Sequence, residues 1–227
     1  MKNLVVLSGA GISAESGLKT FRDEDGLWEG HDVYEVASID GFIKNPEIVL
    51  EFYNVRRRQL KQVQPNSAHT IIAGLESYFH VDIITQNVDD LHERAGSSNI
   101  LHLHGELFKV RSIVDESLKY PWFEDLTISS KNEHNHKLRP DIVWFGEAVP
   151  LFDRAINIME KADVVLIIGT SLQVYPAANL LSYAPAMANF YYIDINPAKT
   201  THFNRNITII KDTAIKGMES IYDTLIK

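Results

Sequence analysis

The chain has 227 residues, a formal net charge of −8 and no cysteine. That length admits one large core, or one core with a smaller module. The charge argues against a broad polyanion-binding surface, and the lack of thiols excludes disulfides, thiolate nucleophiles and thiolate–metal sites. No apolar run approaches the roughly 20 residues of a membrane span. The N-terminus enters "NLVVLSGAG" without a basic region, apolar run and cleavage site. The expectation is a soluble, cytoplasmic protein that binds neither nucleic acid nor membrane.

Five short runs rich in Val, Ile and Leu are predicted as buried parallel strands: "NLVVLS" (3–8), "VDIITQN" (81–87), "DVVLIIGTS" (163–171), "FYYIDIN" (190–196) and "ITIIK" (207–211). Helical patterns separate them. "NSAHTIIAGLES" offers Asn66 or Ser67 as a cap, "PLFDRAINIMEKA" places Pro150 in a first turn, and "DTAIKGMESIYDTLI" closes the chain. Alternating strands and helices predict an α/β fold, a doubly wound parallel sheet with ligands at the strand C-terminal ends. Two stretches break the alternation, residues 28–65 (one long helix and loops) and 108–140 (polar and turn-rich). Both are expected to be insertions that build a small domain. The large domain then comprises residues 1–27, 66–107 and 141–227.

The first strand runs into "SGAGISAESG" (8–17). Gly9 and Gly11 let backbone turn tightly and approach a diphosphate at the N-terminus of the next helix, or they simply make a tight turn. Gly17 comes too late for the dehydrogenase fingerprint. In "TFRDEDGLW" (20–28), Arg22 suits a phosphate and Phe21 suits a shield over a reactive sugar; the alternative is a surface loop. "TQNVDDLHERAG" (85–96) puts Gln86, Asn87 and Asp89 at a strand's C-terminal end, where amides and a carboxylate fit ribose hydroxyls and a carboxamide. Capping by Asp89 or Asp90 is the other reading. "LHLHGEL" (101–107) alternates so that His102 and His104 share one face of a strand, either as a general base or as satisfied core residues.

In this order, GAGIS, TFRDxDGLW, TQNVD, LHxHGEL, LRPDIVWFGE and GTSLxVxPA resemble the sirtuin family of NAD-dependent protein lysine deacylases, from about Val5 to Ala214. The resemblance implies a Rossmann-like large domain and a small domain of two insertions. It implies NAD contacts from Gly9, Ala10, Gly11, Ile12, Phe21 and Arg22, and from Gln86, Asn87 and Asp89 at the nicotinamide ribose. Gly169, Ser171, Asn196 and Ala214 would line the adenosine side. His104 matches the catalytic base, with Asn87 beside it, and Val143, Trp144, Phe145 and Gly146 match the strand that holds the substrate peptide. The implied reaction consumes NAD: the acyl-lysine oxygen attacks C1′ as nicotinamide leaves, and His104 takes a proton from a ribose hydroxyl. Nicotinamide, free lysine and an acyl-ADP-ribose result. A mono-ADP-ribosyltransferase and a non-catalytic NAD-sensing module are the competing readings.

Many sirtuins hold zinc between two Cys pairs in the small domain. Here the matching segment has none: Ser112 stands near the first expected cysteine and "NEHNHK" near the last pair. No zinc is expected; His134 and His136 are expected to be solvated, and apolar contacts, including Trp122 and Phe123, to hold the module.

"EFYNVRRRQL" (51–60) sits on a helix predicted from Asn45 and Pro46 to about Lys61. Val49, Tyr53, Arg56 and Leu60 form one inward stripe, whereas Arg57 and Arg58 are expected to be solvated beside Asn54 and Lys61. Tyr-x-x-Arg resembles the sirtuin class that removes acidic acyl groups. Tyr53 and Arg56 would bind the distal carboxylate of succinyl- or malonyl-lysine, and Ala37 would leave room for the longer chain.

Overall fold

In the computed structural model, residues 1–19, 27–28, 31–199 and 207–227 are described. The elements run β1 (Lys2–Ser8), β2 (Leu27–Trp28), β3 (His31–Asp32), α1 (Val33–Val36), α2 (Ile39–Lys44), α3 (Pro46–Leu60), α4 (Ser67–Gly74), β4 (Phe79–Thr85), α5 (Leu91–Arg94), β5 (Ile100–His102), β6 (Gly105–Ser112), β7 (Lys119–Pro121), β8 (Leu138–Ile142), α6 (Phe152–Met159), β9 (Val164–Ile168), β10 (Asn189–Ile193), β11 (Ile207–Ile210) and α7 (Ala214–Leu225). No helix among the described residues is long and apolar enough to cross a membrane.

Six parallel strands form the main sheet in the order β11-β10-β9-β1-β4-β5. Its strands are apolar on both sides because both faces are covered. Leu4, Val6, Ile83, Leu166 and Ile193 pack against α4 and α7 through Ile72, Met218 and Ile221. Val5, Leu7, Ile84, Val165 and Phe190 pack against α6 and a 3₁₀ segment through Ala155, Met159, Leu180 and Leu181. Burying each such Leu, Ile or Val is worth about 1.5–3 kcal/mol, which drives the doubly wound, Rossmann-like arrangement. Strand order reverses between β1 and β9, so the turns after these two strands lie side by side.

Outside the main sheet, α1–α3 pack with an antiparallel sheet of order β7-β6-β8. Val49, Tyr53 and Leu60 of α3 share a core with Leu107, Ile142 and Trp144, while Leu50 meets Val110, Leu126 and Leu138. Trp122 packs against the second of these clusters, and Phe123, although 54% exposed, stacks on Phe108.

Several boundaries differ from the sequence reading. Three helices, not one, occupy residues 33–60, because Asp32 and Ser38 cap two short helices through Tyr34 N–H and Gly41 N–H. Asn45 holds the cap position of α3 without a side-chain bond there. Asn66 caps α4 as expected, accepting from Ala68 N–H. Pro150 precedes α6, whose cap position is Leu151. A sixth strand, β5, extends the sheet beyond β4.

Candidate active site

The turn after β1 is built against the turn after β9. Gly9 N–H donates to Ile168 O and Gly11 N–H to Gly169 O, at 3.0 and 2.8 Å. A methyl group on Gly11 would lie 2.7 Å from Gly169 Cα, and Gly169 itself has φ +62°. These glycines are therefore required by mutual backbone approach at the switch point. The expected next helix is two single 3₁₀ turns, Ala10–Ile12 and Ala14–Ser16, too short to supply much dipole. Among the described residues, the N–H groups of Ala10, Thr170 and Ser171 donate to no protein acceptor. They are the free donors that an anionic diphosphate at this crevice needs, so the residues present fit a dinucleotide. Gly169 and Ser171 follow β9, Asn196 follows β10, and Ala214 opens α7. They thus lie at neighbouring C-terminal ends of the sheet. Phe21 and Arg22 fall outside the described residues.

Side-chain hydrogen bonds tie down Gln86, Asn87 and Asp89 in the loop after β4. Gln86 donates through Nε2 to Thr170 Oγ1 at 3.0 Å, tying the two halves of the crevice together. Asn87 is 7% exposed and donates through Nδ2 to Ser13 Oγ at 3.2 Å; Ser13 Oγ in turn donates to Asp89 Oδ2 at 2.9 Å. Asp89 Oδ1 accepts from Leu91 N–H at the start of α5, whose cap position is Asp90. Burial pushes the Asp89 carboxyl up to about 6, against the pull of these hydrogen bonds. Beneath the loop, Asn87 N–H donates to Thr85 Oγ1, which also accepts from Ser8 Oγ, and Ser8 Oγ bonds His92 Nε2 at 3.0 Å.

His102 and His104 do not share a face of one strand. β5 ends at His102, a turn carries Leu103 and His104, and β6 starts at Gly105 with φ +83°. A methyl group on Gly105 would sit 1.9 Å from Asp141 O, so the close approach of β8, which pairs with β6 from this residue, requires glycine at the break. His104 Nδ1 lies 3.0 Å from Gln86 O. A carbonyl only accepts, so Nδ1 carries the hydrogen and Nε2 keeps its lone pair. Burial holds His104 below the usual imidazole range, opposed by the bond to Gln86 O. The result is a neutral imidazole held on Gln86 O.

The segment after β8 leads from His104 to the turn between α1 and α2. Val143 N–H donates to His104 O at 2.9 Å and Phe145 N–H to Ala37 O at 2.8 Å. Arg139 forks onto Glu147 at 2.6 and 2.9 Å, lies 3.5 Å over the Trp144 ring, and Glu147 accepts from Trp144 N–H. Trp144 Nε1–H donates to Tyr53 Oη at 2.9 Å. Gly146 follows at φ +89° with open space around it.

On α3, Val49, Tyr53, Arg56 and Leu60 are all buried, as the spacing predicts. Arg56 lies 3.2 Å over the Phe52 ring and donates through Nη1 to Phe52 O. Arg58 is half exposed and pairs with Glu51 and Asp125. Arg57 departs from expectation: it is fully buried, donating to Leu107 O, Asn54 Oδ1 and Glu124 O. Residues 107–126 fold over that side of α3, and Asn54 is buried there too through Leu126.

Ser13, Thr170, Thr85, Ser8, His92 and Glu93 complete the site without having been picked out from the sequence. Ser13 and Thr170 carried one signal, a small hydroxyl beside a glycine turn; the others act through contacts that only the fold creates.

A sequence profile of the Sir2 family matches residues 9–176. An NAD-dependent protein deacylase of Helicobacter pylori is 59% identical over 227 residues, covering 100% of this chain and 99% of its own. The crystal structure of a Sir2 homolog–NAD complex superposes with a TM-score of 0.88 at 38% identity, covering 99% of this chain and 89% of that one. A Sir2–p53 peptide–NAD⁺ structure gives 0.79 at 28% identity, covering 99% and 94%.

Proposed function

This chain belongs to the Sir2 family, and on that premise we propose that it is an NAD-dependent protein lysine deacylase with His104 as its general base. The observation that carries the proposal is the fixed tautomer of His104: Gln86 O holds its Nδ1–H, which leaves Nε2 basic, and Gln86 adjoins Asn87, itself linked through Ser13 to Asp89. When bound, NAD supplies a ribose carbon whose nicotinamide is a leaving group. Gly9, Ala10, Gly11, Ile12, Gly169, Ser171, Asn196 and Ala214 would hold its diphosphate and adenosine side; Gln86, Asn87 and Asp89 would orient its nicotinamide ribose. His104 would accept a ribose hydroxyl proton at Nε2. Val143, Phe145 and Gly146 would align the acyl-lysine peptide by backbone pairing, with little demand on its side chains. Mass spectrometry of acyl-lysine peptides with and without NAD tests the activity. Unchanged peptides with NAD present would refute it, and label from NAD retained on protein would indicate ADP-ribosyl transfer instead.

For the acyl group, we infer a preference for acidic chains, succinyl and malonyl, alongside acetyl. In support, Tyr53 and Arg56 share one buried stripe, and the small Ala37 belongs to the same core cluster as Tyr53. Tyr53 Oη, by accepting from Trp144, retains its own hydrogen for another acceptor. A phenol and a guanidinium so placed suit a distal carboxylate. Such a charge-assisted contact is worth about 1.5–3 kcal/mol, or roughly 10- to 150-fold in kcat/KM. Arg56→Met should reduce desuccinylation by that factor more than deacetylation; equal losses would remove the pair from acyl selection.

A further inference from the structure

His102 takes no part in the chemistry proposed above, yet both of its ring nitrogens are committed. Nδ1 lies 3.0 Å from Asn87 O and Nε2 lies 2.7 Å from Glu93 Oε1. A carbonyl and a carboxylate are both acceptors, so each nitrogen must carry hydrogen and the ring is an imidazolium. Its side chain is 7% exposed, whereas that of Glu93 is 40% exposed, so the pair runs from solvent to the backbone of the site. Asn87 is thereby gripped at three points: its carbonyl by His102, its N–H by Thr85, and its amide by Ser13.

We propose that His102, held as an imidazolium by Glu93, is a positioning residue that fixes the Asn87 carbonyl and makes turnover depend on its charge. The proposal rests on the deacylase reading and extends it to a group that touches no reacting atom. Loss of the proton leaves one nitrogen lone pair facing either the carbonyl or the carboxylate, so one of the two bonds breaks and the Asn87 peptide is released. The other ionisable groups around the ring are Glu106 of β6, Asp89 and His92; Lys109 engages Glu106 at 2.6 Å and also acts on Glu93. Burial disfavours the imidazolium, but the hydrogen bond and charge of Glu93 outweigh it, so His102 stands above the usual imidazole range. The positioned form is therefore complete at pH below 6.5 and is lost as pH rises through the raised value.

The test compares wild type, His102→Gln and Glu93→Gln on an acetyl-lysine peptide across pH, with kcat, KM for NAD and melting temperature measured separately. Wild type should show an alkaline fall in kcat that moves down by about one pH unit or more in Glu93→Gln, the size of an opposite charge removed. His102→Gln should lose about 10-fold or more in kcat, the size of one charge-assisted bond, and lose that alkaline limb while staying folded. An alkaline limb unmoved by Glu93→Gln, or kcat falling only in step with melting temperature, would overturn the proposal. A wild type without turnover would instead sink the deacylase reading. Nitrogen NMR of the histidine rings then decides for His102: a doubly protonated ring at neutral pH supports the proposal, and a neutral ring overturns it.

Discussion

His102 and His104 stand two residues apart and donate Nδ1–H to consecutive carbonyls, Asn87 O and Gln86 O, yet one is charged and the other neutral. The difference is Glu93, which faces His102 and, among the described residues, has no counterpart at His104. Burial therefore wins at His104, whose pKa falls below 6.5, so its basic form is present throughout the neutral range. The expected outcome is a kcat that falls on acidification only below pH 6.5. His104→Ala should abolish turnover while leaving NAD affinity and melting temperature near wild type, as calorimetry and thermal unfolding would show. Substantial residual turnover in that variant would remove His104 from the base role.

Acid should destabilise the fold through two further histidines. His69 and His92 are buried with their rings 5.0 Å apart, and burial pushes His69 down to about 4 and His92 well below the usual range. Between pH 6.5 and about 4 the unfolded chain takes up protons that the folded chain refuses, so stability falls as pH falls. Asp89, raised to about 6, works in the opposite direction over much of that window and offsets about one histidine. Each uncompensated proton changes stability by about 1.4 kcal/mol per pH unit. His92→Gln keeps a donor for Ser8 and should flatten the acid slope by that amount in denaturant titrations at several pH values. An unchanged slope would mean that His92 is protonated in the folded protein.

The three consecutive arginines should separate sharply in stability. Arg57 is fully buried with three oxygen partners, and burial lowers its pKa to about 10. Arg57→Ala strands those acceptors and should cost about 2–5 kcal/mol. Arg58 pairs with Glu51 and Asp125 in solvent, where screening and side-chain entropy leave such pairs little net worth. Arg58→Ala should shift the urea midpoint little. Similar shifts for both variants would contradict the burial of Arg57.

The contrast between these arginines marks where the sequence stops being readable. The sheet was legible because strands covered on both faces carry continuous Val, Ile and Leu, as "NLVVLS" does from Leu4 to Leu7. The placing of Gln86, Asn87 and Asp89 in the loop after β4 was legible because the apolar run of the strand stops just before them. Arg57 was not, since its burial comes from residues 107–126 folding over α3, and nothing in the local helix period encodes that cover. The alternation in "LHLHGEL" misled for a similar reason: a turn at Leu103 and His104 separates β5 from β6, which pairs closely with β8 from Gly105 onward. Glu93 likewise acquires its meaning only from the fold, which carries His102 back across α5.

The small domain should keep its shape without metal. Among the described residues, no group of three or more His, Cys, Asp or Glu is placed to hold a metal ion. Hydrogen bonds close the turns there. Ser112 Oγ accepts from Val114 N–H and Asp115 N–H and bonds His136 Nδ1 at 3.1 Å. Asn132 Oδ1 accepts from His134 N–H and His136 N–H, while its Nδ2 donates to Tyr120 Oη. Ser112 is fully buried, so Ser112→Ala leaves two backbone donors without their acceptor and should cost about 1–3 kcal/mol. Exhaustive chelation should leave both melting temperature and deacylation unchanged, because metal contributes to folding only where ligands converge on it. Stoichiometric zinc in elemental analysis of the purified protein, or unfolding by the chelator, would show that His134 and His136 serve as ligands and that the hydrogen bonds alone do not hold the module.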